Sequence, residues 1–184
     1  MRRRILVGLA MLVVLPWVLW LVPNRVYYRR GRPTRIGRGV NAFSSWLYER
    51  GFLPSFMASL ETVGWRTGAP HRIPVVIADY AGQQYIVSML GERSPWVWNI
   101  RASGGRAAIV RRGRHEVLLD EVPVAERAPI LKAYVGRAFG ARPHITVDPR
   151  APVAAFEDIA ADYPVFRISE PARASAAAPI ETGV

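Results

Sequence analysis

Residues 61–77, ETVGWRTGAPHRIPVVI, contain two runs of strand-forming residues on either side of a turn. The turn holds Gly64 and Gly68 together with Arg66, Thr67 and His71. Turns of this kind reverse a chain between two strands, and they can also present cations and backbone N–H groups to an anion. The stretch therefore predicts an antiparallel hairpin whose turn either only reverses the chain, as many basic turns on protein surfaces do, or also holds an anion.

Further segments of strand character surround this hairpin. They occur at residues 58–64, 71–80, 84–89, 106–113, 115–122 and 163–168. Ala81-Gly82, and Gly113 between two later runs, are hairpin signals. Helical patterns occur at residues 40–53, 94–103, 124–139 and 151–163. Strands in adjacent hairpins with a few interposed helices predict a mainly β (α+β) fold, a small antiparallel barrel or sandwich.

The composition narrows the chemistry. The chain has 184 residues and a net charge of +11, and 24 of its 25 basic residues are arginine, which suits contact with phosphate or carboxylate. It has no cysteine, and its three histidines do not have the spacing of metal ligands. No P-loop, dinucleotide-binding, serine-hydrolase or zinc-protease motif is present in the sequence. We therefore expect anionic partners and no metal site.

The N-terminal sequence has the character of a membrane anchor. Ile5–Val22 is a run of 18 uncharged residues, which as a helix would be about 27 Å long, enough for one span. Three arginines precede the run and six follow it up to Arg38, so the domain is expected on the cytoplasmic side. An interfacial or re-entrant hairpin bent at Pro16 is the alternative. In either case the arginines attract anionic lipids.

These patterns divide the chain into three parts. Residues 1–39 are expected to form the anchor and a basic linker, residues 40–170 the barrel, and residues 171–184 a disordered tail rich in Ala, Ser and Pro. The helix predicted at 40–53 places Val40, Phe43, Trp46, Leu47 and Arg50 on one face. That face suits packing either on the membrane or on the domain.

Several short motifs follow one another in a characteristic order. They are T-x-G-x-R-T-G-x-P at 62–70, IPVVI at 73–77, IVSMLGERSPWVWNIRA at 86–102, AAIVRRG at 107–113 and YPVFRI at 163–168. Together they resemble the deazaflavin-dependent nitroreductase family, whose members are split β-barrel oxidoreductases that use coenzyme F420. The resemblance runs from near Leu60 to Ile168. It implies an antiparallel split β-barrel with flanking helices, here preceded by an N-terminal transmembrane helix.

The resemblance also implies where the cofactor would bind. The turn would receive the phosphodiester and glutamate tail through Arg66, Thr67, Gly68 and His71. Pro74, Val75 and Val76 would lie along the deazaflavin ring, and Ser88, Met89 and Leu90 would line its other edge. Trp96 and Asn99 would close the pocket. Arg93 would reach the phosphate. Trp65 stands where many relatives have a second basic residue. Val76 stands where a nitroimidazole-reducing relative has its active-site tyrosine.

The function implied is a membrane-anchored enzyme that transfers hydride from F420 to a small quinone-like or nitroaromatic acceptor. Tyr134 and Tyr163 are candidate proton donors, although a buried tyrosine is also a common core residue. Trp98 is expected in the core. The resemblance allows a homodimer, and we expect no nucleic-acid partner. The alternatives are a split barrel that binds FMN or haem, and a non-enzymatic, membrane-tethered basic binding module.

Overall fold

The computed structural model describes residues 28–29, 32–50 and 54–171. The predicted anchor at 5–22 lies outside these residues, as does the predicted tail from residue 172 onward. Among the helices in the described ranges, none combines the length and the apolar character needed to cross a bilayer. The transmembrane helix therefore stays a prediction.

Six antiparallel strands form a closed barrel, which confirms the predicted antiparallel barrel. A separate two-stranded pair, β1 (Tyr28–Arg29) and β2 (Arg32–Pro33), precedes it. The barrel strands are β3 (Met57–Val63), β4 (Pro70–Tyr80), β5 (Gln83–Val87), β6 (Arg106–Val110), β7 (Arg114–Glu121) and β8 (Val165–Ser169). Their order around the barrel is β3-β4-β5-β8-β7-β6, and β6 pairs back with β3. The last strand thus lies between β5 and β7.

Four helices flank the barrel in the described part of the chain. They are α1 (Arg35–Glu49), α2 (Pro95–Ala102), α3 (Arg127–Arg137) and α4 (Ala154–Glu157). The helix predicted to start at Val40 begins five residues earlier, after Thr34, whose hydroxyl accepts a hydrogen bond from the Gly37 N–H at 3.1 Å. The helix predicted at 151–163 is much shorter than expected and covers only four residues.

The two faces of the sheet build two separate hydrophobic clusters. The inner cluster fills the barrel and includes Leu60, Ile77 and Phe166. The outer cluster lies under α3 and α4 and includes Ala78 and Leu131. Neighbouring residues such as Ile77 and Ala78 enter different clusters because side chains alternate along a strand.

The predicted core position of Trp98 is wrong. Its neighbours Val97 and Ile100 are buried in the inner cluster, whereas Trp98 is 50% exposed. Residues Val97 and Ile100 are three apart on α2 and share a helical face, which places Trp98 on another side of this short helix.

The hairpin of β3 and β4 carries the quoted turn. Their last pair is Val63 with Pro70, so the turn comprises residues 64–69. Helix α1 packs on both strands, and α2 packs on β3. The basic turn is therefore placed beside two helices at the end of this hairpin.

Candidate functional site

A groove of about 760 Å³ lies between α1, the β3–β4 turn and α2. Of the residues implied by the resemblance, five line it: Arg66, Thr67, His71, Trp96 and Asn99. The groove wall also contains Arg38, Asn41, Ala42, Ser45, Trp46, Thr62, Gly64, Trp65, Arg72, Ile73 and Pro95. The turn, the start of α2 and one side of α1 thus form one site.

Gly64 is the tightest point of the turn. It is buried, and a Cβ at this position would lie 2.7 Å from the Thr67 Oγ1 and 2.8 Å from the His71 Nε2. No side chain fits there without displacing one of these polar groups. The missing Cβ lets the Thr67 hydroxyl and the His71 imidazole both lie close to Gly64 at the groove wall.

The backbone of the turn is occupied by its own hydrogen bonds. The Gly64 N–H donates to the Ala69 carbonyl at 2.8 Å, and the Gly64 carbonyl accepts from the N–H groups of Thr67 at 3.2 Å and Gly68 at 2.8 Å. The Ala69 N–H donates to the Thr67 Oγ1 at 3.3 Å. The expectation that this turn presents backbone N–H groups to an anion is therefore wrong for these four N–H groups. An anion in this groove would be held mainly by side chains.

Asn99 fixes the turn to α2. Its Nδ2 donates to the Thr62 Oγ1 at 3.0 Å, and its Oδ1 accepts from the Trp65 N–H at 3.1 Å. Asn99 and Thr62 are both buried. The neighbouring Trp96 packs its ring against Phe166, with centroids 5.3 Å apart, so that it belongs both to the barrel core and to the groove wall.

The groove carries positive charge that is only partly neutralised. Arg72 forms an ion pair with Glu61 at 2.7 Å. Arg38 and Arg66 take part in none of the ion pairs formed by the described residues. The guanidinium of Arg66 lies over the ring of Trp65, 4.4 Å from its centroid, a contact that holds a cation without neutralising it.

Glu61 is paired with two other arginines and forms no ion pair with Arg38 or Arg66. It accepts from Arg114 at 2.8 Å as well as from Arg72. Hydrogen bonds from Arg114 and Arg72 hold the pKa of Glu61 below its ordinary value, against the opposing effect of burial. Its charge is thus neutralised locally.

The remaining residues implied by the resemblance lie elsewhere. Gly68 is in the turn but does not line the groove. Along β4, Val75 packs against the inner cluster and Val76 against the outer one, while Pro74 pairs with Ser59 of β3. Met89 also packs against the outer cluster.

The loop after β5 is held by a compact set of contacts. The Ser88 Oγ lies 2.8 Å from the Gly91 carbonyl oxygen and 2.7 Å from the Ser94 Oγ. Gly91 has a φ of +68°, and a Cβ there would lie 2.8 Å from the Asp162 carbonyl oxygen. Leu90 is half-buried and Arg93 is exposed. This loop lies against the segment that leads into β8, and none of its residues 88–94 lines the groove.

Arg101 connects this loop to the barrel. Its guanidinium donates to both carboxylate oxygens of Glu92, at 2.6 and 2.8 Å, and to both of Glu121, at 2.8 and 2.7 Å. Glu121 also accepts from the buried Arg127 at 3.0 Å. Hydrogen bonds from Arg101 keep the pKa of Glu92 below its ordinary value.

The two candidate tyrosines lie at the outer cluster. Tyr134 is buried within it, and Tyr163 packs against it. The Tyr163 hydroxyl donates to the His144 carbonyl at 2.7 Å, and burial, with a smaller effect of Asp162, raises the pKa of Tyr163. The hydroxyl is therefore protonated at neutral pH. Val76, Met89 and Tyr163 thus border the same cluster, separate from the groove residues.

The residues implied by the resemblance did not include Arg38, Trp46 and Gly64, which are three of the eleven further residues of the groove wall. A signal for the first two was present, because Arg38, Ala42, Ser45 and Trp46 recur at the spacing of one helical face. Arg38 was missed because the helix was predicted to start at Val40, whereas Trp46 was assigned to its apolar face. Gly64 is part of the quoted motif, but only the structure shows that its missing Cβ makes room for two polar groups.

Comparison with known proteins gives a family and a set of folds. Residues 51–147 match the family described as F420H(2)-dependent quinone reductase. No curated protein matches the chain. The solved structures with a similar fold include a domain-swapped dimer (16% identity, covering 73% of this chain and 99% of that one, TM-score 0.46). They also include an F420-H2 dependent reductase (19% identity, covering 64% of this chain and 96% of that one, TM-score 0.42). A third is a FAD-binding protein from Mesorhizobium loti (16% identity, covering 70% of this chain and 90% of that one, TM-score 0.41).

The family match spans more than half of the sequence. It extends from just before β3 to beyond α3, and so contains the turn, α2 and the loop after β5. The resemblance seen in the motifs is thereby confirmed, and with it the use of F420 rather than a non-enzymatic role. The chain belongs to the F420H(2)-dependent quinone reductase family and is an F420-dependent oxidoreductase.

Proposed function

We propose that this enzyme is a membrane-anchored quinone reductase and that its groove holds the anionic tail of F420. The observation that carries the proposal is the pair of arginines in the groove, Arg38 and Arg66, which have no carboxylate partner within the described ranges. Guanidinium groups suit phosphate and carboxylate, the two charged groups of the tail. The structure and chemistry of the groove residues fit this ligand.

Trp65 supports the proposal even though it replaces a basic residue of many relatives. Asn99 holds its N–H, and its ring lies under the guanidinium of Arg66. The stack restricts the side chain of Arg66 while leaving its N–H donors available for an oxyanion. In this chain one positioned arginine takes the role of two neighbouring cations.

The deazaflavin, when bound, supplies hydride chemistry, and the protein supplies binding, orientation and exclusion of water. Val76 and Met89 offer apolar surface for a planar ring at the edge of the outer cluster. Tyr163 holds its proton on an oxygen that donates to the His144 carbonyl. Tyr163 would serve as a proton donor only if its hydroxyl left the His144 carbonyl and donated its hydrogen bond to the bound hydride acceptor instead.

The acceptor and the location are also part of the proposal. The family description names a quinone, which suits an enzyme tethered through the uncharged run Ile5–Val22. We place the domain on the cytoplasmic side. Added protease should then digest the domain in inverted membrane vesicles and leave it intact in spheroplasts, and the reverse pattern would contradict this orientation.

The groove assignment is tested by titrating the full chain with F420. Arg66→Ala should weaken binding by about 10- to 100-fold, because a hydrogen bond to a charged group contributes roughly 1.5–3 kcal/mol. Arg150→Ala, an exposed arginine outside the groove, is the matched control and should bind normally. Equal affinity in the two variants would overturn the groove assignment.

The cofactor and acceptor need their own comparison. The same titration with FMN tests the flavin alternative, which would gain support if FMN bound and F420 did not. Oxidation of reduced F420 is then followed with a naphthoquinone, a benzoquinone and a nitroaromatic compound. Turnover with the nitroaromatic compound alone would contradict the quinone proposal.

A further inference from the structure

Helix α1 packs on the barrel through its small residues. Gly37 and Ser45 are buried, and the Ser59 Oγ of β3 donates to the Ser45 Oγ at 3.0 Å. In a helix that covers a barrel, the large apolar residues usually take this position. Here a glycine and a serine allow close approach.

Three large apolar residues of α1 are exposed, whereas Val40 and Leu47 are half-buried. Ile36 is 59% exposed, Phe43 44% and Trp46 42%. They are seven and three residues apart and therefore lie on one side of the helix. The rings of Phe43 and Trp46 stack with centroids 6.0 Å apart. An exposed apolar surface of this kind marks an interaction site.

Cations border this apolar side, which we call the α1 face (Ile36, Phe43 and Trp46). Arg35, Arg38 and Arg50 are exposed, and the Arg50 guanidinium lies over the Trp46 ring at 4.5 Å from its centroid. Glu49 is the only acidic residue among residues 1–60. The described residues that border the face thus include three exposed arginines.

We propose that the α1 face docks on the surface of an anionic lipid bilayer. Apolar and aromatic side chains bordered by arginine are the features of helices that lie in the headgroup region, where the arginines attract anionic lipid. The uncharged run of the N-terminal sequence ends at Val22, and only 12 residues separate it from Arg35. A second copy of the chain is disfavoured as the occupant, because it would bring the same arginines together.

Docking would place the opening of the groove at the lipid surface. Arg38 and Trp46 of α1 also line the groove, as do Trp65, which is 52% exposed, and Arg66. A lipid-soluble molecule could then pass between bilayer and groove without crossing bulk water. This inference goes beyond the proposed function, since an anchor alone would leave the orientation of the domain free.

The test uses the absence of cysteine from the sequence. Phe43→Cys in the full chain is labelled with an environment-sensitive fluorophore and reconstituted into vesicles of phosphatidylcholine with phosphatidylglycerol and a nitroxide-bearing lipid. We expect quenching at least about twofold stronger than at Val124→Cys, an exposed apolar position beyond β7. Arg35→Gln with Arg50→Gln should weaken the interaction by about fivefold per arginine.

Three outcomes would overturn the proposal. They are equal quenching at positions 43 and 124, quenching that does not depend on phosphatidylglycerol, and protection of the probe at position 43 without lipid. The last result would indicate that a second copy or another part of the chain covers the face. Flotation of the chain with the vesicles reports separately on the proposed anchor, so that failure of the anchor and failure of the α1 face are distinguished.

Discussion

Gly64 shows how one missing side chain shapes the site. Gly64→Ala would press a methyl group against the Thr67 Oγ1 and the His71 Nε2, a strain that typically costs about 1–3 kcal/mol. We expect a lower thermal midpoint and about tenfold weaker F420 binding, measured by calorimetry and fluorescence titration. Gly136→Ala in α3 has open space around the new methyl group and should stabilise the helix by up to about 1 kcal/mol. Equal behaviour of the two variants would contradict the tight fit at Gly64.

Asn99 acts through the turn that it holds. Asn99→Ala leaves the Trp65 N–H and the Thr62 hydroxyl without their partner, and a buried unsatisfied group costs roughly 1–3 kcal/mol. We expect a fall in thermal midpoint of about 2–4 °C per kcal/mol together with weaker F420 binding. Gln84→Ala removes an exposed amide that bonds Asp79 and should change neither quantity. An unchanged cofactor affinity in Asn99→Ala would show that the turn keeps its position without this contact.

At the scale of elements, the turn of the β4–β5 hairpin contains an alanine, Ala81, in a left-handed conformation that alanine disfavours. Ala81 and Gly82 form its two-residue turn with φ values of +48° and +74°, which is the type that favours Asn-Gly. A left-handed residue other than glycine costs about 1–2 kcal/mol, and asparagine tolerates it better than alanine. Ala81→Asn should therefore raise the free energy of unfolding, and Gly82→Ala should lower it. Denaturant titration measures both, and a decrease in Ala81→Asn would contradict the explanation.

The contact between Glu92 and Arg101 makes the stability that the loop after β5 contributes depend on pH. The pKa of Glu92 is lowered in the folded state, so its stabilising contribution is fully present above the unfolded value near 4.5 and is lost as pH falls through the lower, folded value. Glu92→Gln should lower the thermal midpoint at about pH 7 and have a smaller effect at about pH 3. Glu157→Gln, on α4, is the control. A difference between wild type and Glu92→Gln that stays constant across this pH range would contradict the coupling.

At the scale of the whole molecule, the net charge of +11 predicts salt-sensitive cofactor binding. The tail of F420 is anionic, and attraction to exposed cations weakens as ionic strength rises. The affinity for F420 should fall steeply between about 0.05 and 0.5 M salt. The deazaflavin riboside, which lacks the phosphate and glutamate tail, should bind more weakly than F420. Its affinity should change little with salt concentration. Parallel salt dependence for both ligands would show that the tail does not contact the arginines.

The sequence predicted the strands because each one carries a local pattern. The hairpin from β3 to β4 was read from a single turn, and its turn residues do line the groove. The pairing of β8 with β5 and β7 depends on contacts between distant parts of the chain, and no local pattern specifies such a partner. The apolar side of α1 was recognised from the sequence, but whether that side faces the barrel or the solvent was not. That direction depends on the close approach that Gly37 and Ser45 allow on the barrel side.

The position of β8 between β5 and β7 has a consequence for synthesis of the chain. Two strand edges that pair with β8 in the finished barrel are made well before it. The roughly 40 residues between β7 and β8 take about 2–9 s to translate at the usual rate of 5–20 residues per second. During that time the nascent chain exposes unpaired strand edges, which favour aggregation. Chaperone binding to the unfinished barrel is therefore expected to affect the yield of the enzyme more than the stability of the completed fold does.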